Sequence, residues 1–243
     1  MTIQEGDFIK LSYTGKLEDG TVFDTTDENI AKENGIYNEK GIYGGDVVVA
    51  GAGHTIKGLD EELVGKEEGH SGTVDIPPEK AFGEHDPKLV ESHSITKFQD
   101  RKAYPGMEAQ IDNRKGVVTK VIGRRVRVDF NHPLAGKTVT YDYTIDKKIE
   151  DADEKLQGLL ALYTGITDMD AKIQDNTAVI NIPNELTFNQ RWLMVKGRIA
   201  NDLMEHLGVE EVQYVEKYPP KTIKPEESEL EEETTAETEP SGD

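Results

Sequence analysis

The chain of 243 residues contains no cysteine. Disulfide bonds, thiolate nucleophiles and thiolate metal sites are therefore excluded. Its six histidines are scattered along the chain, and none is paired with another at a metal-ligand spacing. We expect no transition-metal site and no cofactor.

Long apolar runs are also absent, so no segment is predicted to span a bilayer. Residues 1–5 lack the basic and then apolar pattern of a secretory signal peptide. Hydrophobic residues make up 35% of the chain and charged residues 31%, which is typical of a polar protein with a modest core. The simplest expectation is a cytoplasmic protein that does not bind membranes.

Basic residues are too few to balance the acids, and the formal net charge is −20. This total argues against nucleic-acid binding by the whole surface. Residues 87–128 nevertheless contain ten basic and four acidic residues. RNA or ribosome docking by this segment is an alternative that we do not favour, because its charge also complements acidic surface of the same molecule. Residues 219–243 contain nine acids, two lysines and little to bury, and are predicted to be disordered.

The first 86 residues contain short alternating runs separated by glycine, at residues 8–13, 47–49 and 73–76. This spacing predicts an antiparallel sheet. Leu59 and Leu63 predict one short helix that ends at Gly65. Residues 35–43 repeat Gly-Ile-Tyr twice within a long connection, which we interpret as a loop with aromatic tips.

The chain after residue 86 predicts further strands and then helices. Residues 117–122 and 125–130, separated by Gly123 and Arg124, predict a hairpin, and residues 138–145 predict a further strand. From residue 150 the period becomes helical. The expected buried positions of two helices are Leu156, Leu159, Leu160 and Tyr163, and then Phe188, Trp192, Val195, Ile199, Leu203 and Leu207. Strands at residues 178–182 and 212–215 complete a predicted α-β-α-β unit.

The run Gly-Thr-Val-Phe-Asp-Thr-Thr at residues 20–26 places Asp24 directly after an aromatic residue. Simple alternation puts Val22 and Asp24 on one face of a strand and Phe23 on the other. Taken alone, Asp24 is a solvated strand-end residue, a turn former, a catalytic acid or a metal ligand. The run does not decide among them.

Several motifs, taken together in order and spacing, resemble the FKBP-type peptidyl-prolyl isomerases. They are Tyr13, residues 18–24 (EDGTVFD), residues 55–60 (TIKGLD) and residues 76–83 (IPPEKAFG). The basic segment followed by residues 131–137 (NHPLAGK) is similar to the SlyD branch, whose insert-in-flap domain occupies this place. The additional C-terminal unit is similar to long archaeal members of the family.

The resemblance implies an α+β fold: an antiparallel half-barrel sheet with one short helix, a small mostly-β inserted domain and a C-terminal α/β domain. We expect the isomerase domain at residues 1–86 and 129–149, the insert at 87–128, the C-terminal domain at 150–218 and the tail at 219–243. No single motif would be specific, but the ordered set is.

The resemblance also implies an apolar catalytic pocket in which Asp24 either holds Tyr13 or polarises the twisting amide. Its expected catalytic residues are Tyr13, Phe23, Asp24, Ile56, Leu59, Phe82 and Tyr141. Substrate contacts are expected at Val48, Thr55, His132 and Leu134. Two positions depart from the family pattern, because Leu59 stands where many relatives carry Trp and Phe82 where many carry Tyr.

By the same resemblance, the insert binds unfolded or nascent chains and presents their X-Pro bonds to the pocket. Its expected client contacts are Leu89, Val90, Ile95, Phe98 and Met107. An alternative is that these side chains are consumed by the insert's own core. We expect the C-terminal domain to mediate homodimerisation or client contact. The alternative function is a non-catalytic holdase on the same scaffold, associated with the ribosome if the basic insert binds RNA.

Overall fold

The computed structural model describes residues 1–218, so the predicted disorder of residues 219–243 lies outside the described residues. Three separate sheets and a small number of helices confirm the α+β fold class. Within residues 1–218 no helix has both the length and the apolar character that crossing a membrane requires.

The first sheet has five antiparallel strands in the order β2-β1-β9-β4, with β3 also paired to β1. One edge of β1 carries β2 and β3 along different halves of its length, and the other edge carries β9. The strands are β1 (Phe8–Leu17), β2 (Val22–Thr25), β3 (Asp46–Val49), β4 (Ser71–Ile76) and β9 (Val139–Ile149).

An extra residue in β9 turns the end of this strand towards a second core. Leu11 pairs with Ile145 and Lys10 with Lys147, so Asp146 has no partner in β1. A bulge of this kind reverses the alternation of side chains after it. Ile145 accordingly lies in the core of the first sheet, whereas Ile149 lies in the C-terminal core.

Two helices, rather than the one predicted, accompany the first sheet. Helix α2 (Lys57–Leu63) buries Leu59 and Leu63, as expected. Helix α1 (Glu28–Glu33) lies in the connection that was interpreted as a loop. The side chain of Asp27 caps α1 by accepting hydrogen bonds from the N–H groups of Asn29 and Ile30. The cap was the sequence signal for this helix.

The insert forms its own antiparallel sheet in the order β5-β8-β7-β6. The predicted hairpin is confirmed as the β7–β8 pair. The strands are β5 (Val90–Ser94), β6 (Glu108–Ile111), β7 (Arg114–Ile122) and β8 (Arg125–Asp129). The buried core of this sheet is Phe98, Ala109, Ile111, Val118, Val126 and Val128.

The C-terminal part combines a three-stranded sheet with helices. Its sheet has the order β10-β11-β12, in which β11 and β12 are parallel. The elements are α3 (Ala152–Thr164), β10 (Ala171–Gln174), β11 (Thr177–Ile182), α4 (Asn184–Thr187), α5 (Gln190–Leu207) and β12 (Glu211–Glu216). The short elements β10 and α4 were not predicted.

The predicted stripe of α5 is wrong at its first residue. Phe188 is 87% exposed, because the helix begins only after the cap residue Asn189, whose side chain accepts from the N–H of Trp192. Trp192, Ile199 and Leu203 are buried as predicted.

The C-terminal unit packs directly against the back of the first sheet. Phe8, Val49 and Ile149 of that sheet share one core with α3, α5 and the third sheet. A Cβ at Gly158 in α3 would lie 2.4 Å from the Cβ of Val47, so glycine permits this close approach. Strand β3 is therefore covered by the first core on one face and by α3 on the other.

Candidate active site

A bulge in β2 sets the position of Phe23. Lys16 pairs with Val22 and Gly15 with Asp24, which leaves Phe23 without a partner in β1. The simple alternation expected for this run is therefore wrong, since Val22 is buried and Asp24 is exposed. A Cβ at Gly15 would lie 2.7 Å from Phe23 Cζ and 3.0 Å from Tyr141 Cζ. Glycine at this position makes room for both rings.

Four of the predicted aromatic residues form a continuous cluster. Ring centroids are 5.7 Å apart for Tyr13 and Tyr141, 5.8 Å for Phe23 and Tyr141, and 5.7 Å for Phe23 and Phe82. His132 stacks on Phe82 at 4.7 Å with nearly parallel rings. The tilted and edge-on arrangements of the first three pairs are favourable ones for aromatic rings. The cluster forms an apolar wall beside the core of the first sheet.

Ile56 and Leu59 join the same core at the start of α2. Leu59 is buried and Ile56 is half-buried. The Ile56 carbonyl accepts from the N–H groups of Leu59 and Asp60, both at 3.0 Å. Within residues 1–218, however, its N–H has no hydrogen-bond acceptor. A backbone donor is therefore available at the edge of the apolar cluster.

The Tyr13 hydroxyl interacts with two carboxyl groups. It donates to Asp46 Oδ2 at 3.1 Å, a partner that sequence reasoning missed. Burial raises the pKa of Tyr13 far above its ordinary value, and the charges of Asp46 and Asp24 raise it further. Tyr13 is thus a hydrogen-bond donor at neutral pH. The only sequence signal for Asp46 as a partner of Tyr13 was its position at the start of the strand that contains Val48.

Both carboxyl groups have a raised pKa. Loss of hydration raises that of Asp24, opposed by the Thr25 N–H and the Tyr13 hydroxyl, although part of the side chain remains exposed. Loss of hydration also raises the pKa of Asp46, and the charge of Asp24 adds to this rise. Two neighbouring acids that share one phenolic donor are expected to be unfavourable when both are ionised.

A cavity of about 250 Å³ lies beside these acids. Ile36, Ile42 and Tyr43 of the connection after α1 line it opposite Tyr13 and Phe23. Tyr37 stacks on Tyr43 with ring centroids 5.6 Å apart. The repeated Gly-Ile-Tyr segment therefore lies over one side of the candidate site.

The remaining predicted contact residues differ in accessibility. Val48 is fully buried in the core of the first sheet, so the expectation of an accessible substrate contact there is wrong in this fold, while Thr55 and Leu134 are half-buried. His132 Nδ1 accepts from the N–H of Leu134 at 3.2 Å, which fixes the loop that carries both residues.

In the insert, Leu89 is exposed. Val90, Ile95 and Met107 are half-buried. Phe98 is only 6% exposed, and its ring belongs to the insert's core. The expectation of an accessible client contact at Phe98 is therefore wrong in this fold.

Grouped metal ligands are not found in the described part of the chain, where no three His, Asp or Glu side chains meet at a common point. The candidate site in residues 1–149 is thus built from aromatic rings, one backbone N–H group and two carboxyl groups.

Replacing Asp46 with asparagine is expected to raise the melting temperature at pH 7 by a few degrees. The amide oxygen still accepts from Tyr13, while a charge disfavoured by lost hydration is removed. Because the folded-state pKa of Asp46 is raised, its protonated carboxyl group stabilises the fold at acid pH, and this contribution is lost as pH rises through the raised value. The gain in melting temperature from Asp46→Asn should therefore vanish at about pH 3. Thermal unfolding between these two pH values measures it.

Asp142→Asn is the matched control with the opposite sign. Lys16, at 2.7 Å, and then Thr73 lower the pKa of Asp142. Its carboxylate stabilises the fold above the ordinary pKa, and this contribution is lost as pH falls through the lowered value. Asp142→Asn should therefore lower the melting temperature at pH 7. Shifts of the same sign in both variants would contradict the electrostatic account.

Three families match successive parts of the chain. Residues 1–102 match the family of FKBP-type peptidyl-prolyl cis-trans isomerases. Residues 95–134 match the family described as FKBP26, IF domain, and residues 152–219 match the family described as FKBP26_C-terminal.

Curated relatives agree with these matches. The short-type peptidyl-prolyl cis-trans isomerase of Methanocaldococcus jannaschii is 37% identical over 141 residues, which cover 57% of this chain and 89% of the relative. The FKBP-type isomerase SlyD of Treponema pallidum is 30% identical, covering 63% and 81% of the two chains. A solved structure, that of AtFKBP13, matches 61% of this chain and 83% of that chain at 20% identity, with a TM-score of only 0.33.

The relatives and the ordered site motifs lead to one conclusion. The chain belongs to the FKBP-type peptidyl-prolyl cis-trans isomerases, and its family and relatives identify it as an isomerase with an insert-in-flap domain.

Proposed function

We propose that the aromatic cluster takes up a prolyl ring while the Ile56 N–H donates to a carbonyl oxygen of the substrate chain. The single observation that carries this proposal is the Ile56 N–H itself. It has no acceptor within residues 1–218 and lies beside Leu59 and the aromatic rings. A buried or bound polar group requires a partner, so this donor is suited to a peptide carbonyl.

Such a pocket accelerates isomerisation without a nucleophile. The barrier of about 18–20 kcal/mol arises because the amide loses resonance when it twists. The planar amide is charge-separated and is favoured by water, whereas the twisted amide is less so. An apolar wall that excludes water therefore favours the twisted form. Each reduction of about 1.4 kcal/mol in the barrier gives a tenfold higher rate.

Asp24 and Tyr13 have the polar role in this proposal. Tyr13 is held as a donor by Asp46 and Asp24, and Asp24 is partly open towards the cavity. An acid in a poorly hydrated position exerts a stronger field than one in water. We assign Asp24 the role of fixing the Tyr13 hydroxyl and polarising the amide as it twists.

A pair of substitutions at Ile56 tests the backbone donor. Ile56 has φ −63°, which proline adopts, so Ile56→Pro removes the N–H without changing this dihedral. Ile56→Ala keeps the N–H and removes most of the side chain. We expect kcat/KM for a short X-Pro peptide to be about tenfold lower in the proline variant than in the alanine variant. A protease-coupled assay measures both.

Melting temperatures show whether both Ile56 variants remain folded. Equal activity in the two folded variants would contradict the role of the N–H group, although it would leave the apolar wall as a source of catalysis.

We further propose that the insert binds unfolded polypeptides and thereby acts as a chaperone for the neighbouring pocket. Tyr104 and Ile122 are each 64% exposed, and Leu89 is also exposed, whereas the insert's core consists of other residues. Exposed apolar side chains on a small domain are suited to binding many sequences. The similarity to the FKBP-type isomerase SlyD of Treponema pallidum supports this proposal. The expected client is an unfolded chain that contains X-Pro bonds.

A further inference from the structure

The loop between β3 and α2 is held from two sides. On one side Asp60 of α2 accepts hydrogen bonds from the N–H groups of Gly51 and Gly53, at 3.0 and 2.9 Å. On the other side His54 contacts the C-terminal unit through Asp202. This loop leads directly into Ile56. Its conformation therefore determines where the proposed substrate donor points.

His54 has a fixed tautomer in this arrangement. Its side chain is 1% exposed. The N–H of Val49 donates to its Nδ1 at 3.0 Å, so Nδ1 carries no proton. Nε2 must then carry the proton, and it donates to Asp202 Oδ2 at 3.1 Å. A neutral imidazole bridges a strand of the isomerase sheet and a helix of the C-terminal unit.

Asp202 is in turn held by its own surroundings. It lies on α5, and its side chain is 14% exposed. The Tyr163 hydroxyl of α3 donates to the same Oδ2 atom, and Arg198 Nε lies 3.9 Å from it. A carboxylate this well buried is stable only with such partners. Asp202 is therefore a rigid acceptor.

We propose that Asp202 is a positioning residue for the isomerase site, acting through His54 to hold the loop that presents the Ile56 N–H. This proposal rests on the proposed role of that N–H. Only Thr55 separates His54 from Ile56 along the chain, so release of the imidazole changes the direction of the donor. A displacement of about 1 Å at a reacting group costs up to a hundredfold in rate. The C-terminal unit thereby takes part in catalysis without touching the substrate.

Protonation of His54 would disrupt this arrangement. A proton on Nδ1 would face the Val49 N–H, and two donors would oppose each other. The groups that face His54 are Asp202, Arg198, His206 and Tyr163. Burial lowers the pKa of His54, Asp202 opposes this effect, and Arg198 and His206 reinforce it. Neutral His54, and the loop conformation it supports, is therefore lost only at acid pH.

Asp202→Ala and Asp202→Asn test the proposal in the full chain with a short X-Pro peptide. We expect the alanine variant to lose about five- to tenfold in kcat/KM, mainly through a higher KM. The asparagine variant should stay within about twofold of wild type, because its amide oxygen still accepts from His54. Its acid limb of activity should move to lower pH, since the carboxylate that favours a charged imidazole is gone.

Glu154→Gln is the matched control. It breaks the 2.6 Å ion pair between Lys147 of the first sheet and Glu154 of α3, which also joins the two units but involves no residue of the loop. Its activity should match wild type. Unchanged kcat/KM in a folded Asp202→Ala variant overturns the proposal, as does an equal loss in the control.

If Asp202→Ala fails to fold, the pH at which the asparagine variant loses activity on the acid side tests the proposal. The same pH as in wild type overturns it. Equal activities of Ile56→Pro and Ile56→Ala, with an effect still present at Asp202, would place the failure in the proposed role of the N–H rather than in the contact between the two units.

Discussion

Asp24→Ala is expected to lower kcat/KM for an X-Pro peptide by about ten- to a hundredfold, equivalent to about 1.4–2.7 kcal/mol. In the proposed mechanism Asp24 fixes the Tyr13 hydroxyl; its carboxyl group has lost part of its hydration and lines the cavity. Its removal leaves Tyr13 with Asp46 as its only carboxylate partner. The fold should persist, because the pKa of Asp24 is raised and its ionised form does not stabilise the protein at neutral pH.

A double-substitution cycle with Tyr13→Phe separates the two roles assigned to Asp24. If Asp24 acts by holding the Tyr13 hydroxyl, the double variant should be no slower than the slower single variant. If Asp24 also acts on the amide directly, the losses should partly add. Asp75→Ala removes an exposed carboxylate from β4 of the same sheet and is the charge control. Wild-type turnover in a folded Asp24→Ala variant would show that the pocket has been assigned wrongly.

The residues of this pocket could be predicted from sequence, whereas their geometry could not. The resemblance implied Tyr13, Phe23 and Tyr141, and the structure brings their rings into contact. The bulge at Phe23 was not predictable, because it depends on the pairing of β2 with β1. The partnership of Tyr13 with Asp46 depends on tertiary contacts across the sheet in the same way.

Helical periodicity was a reliable guide where one face is buried and failed at the ends of elements. Leu156, Leu159 and Leu160 are buried in α3 as predicted. Phe188 satisfied the same period but precedes the capped start of α5. Caps depend on local hydrogen bonds that a period in hydrophobicity does not register. The contact between His54 and Asp202, residues 148 positions apart, had no local signal at all.

Removal of residues 87–128, with a short glycine link in their place, is expected to slow catalysed refolding of a proline-limited protein by about a hundredfold. Peptide turnover should remain within about twofold of wild type. The reason is effective concentration, since a client held on the insert meets the pocket as an intramolecular partner and a short peptide does not need this step. Rates of refolding and of peptide isomerisation, measured on the same preparations, test this division of labour between the insert and the pocket.

The ends of the insert are close enough for this deletion. The Phe130 N–H donates to the Leu89 carbonyl at 3.0 Å, and His85 Nε2 lies 2.8 Å from Asp129 Oδ2. The Asp86 N–H donates to Asn131 Oδ1 at 2.9 Å. The contacts of His85 and Asp86 lie outside the deleted range and should keep the pocket side of the junction folded.

A variant with an intact insert separates client binding from the loss of the domain itself. Tyr104→Ser combined with Ile122→Ser removes the two most exposed apolar side chains among those of the insert without entering its core. It should reproduce a large part of the refolding loss and weaken binding of an unfolded, proline-free client. Val64→Ser removes an exposed apolar side chain from the end of α2 and should do neither. Equal losses of peptide turnover and refolding in the deletion variant would show that the insert supports the pocket itself, and the proposed division of labour would then be wrong.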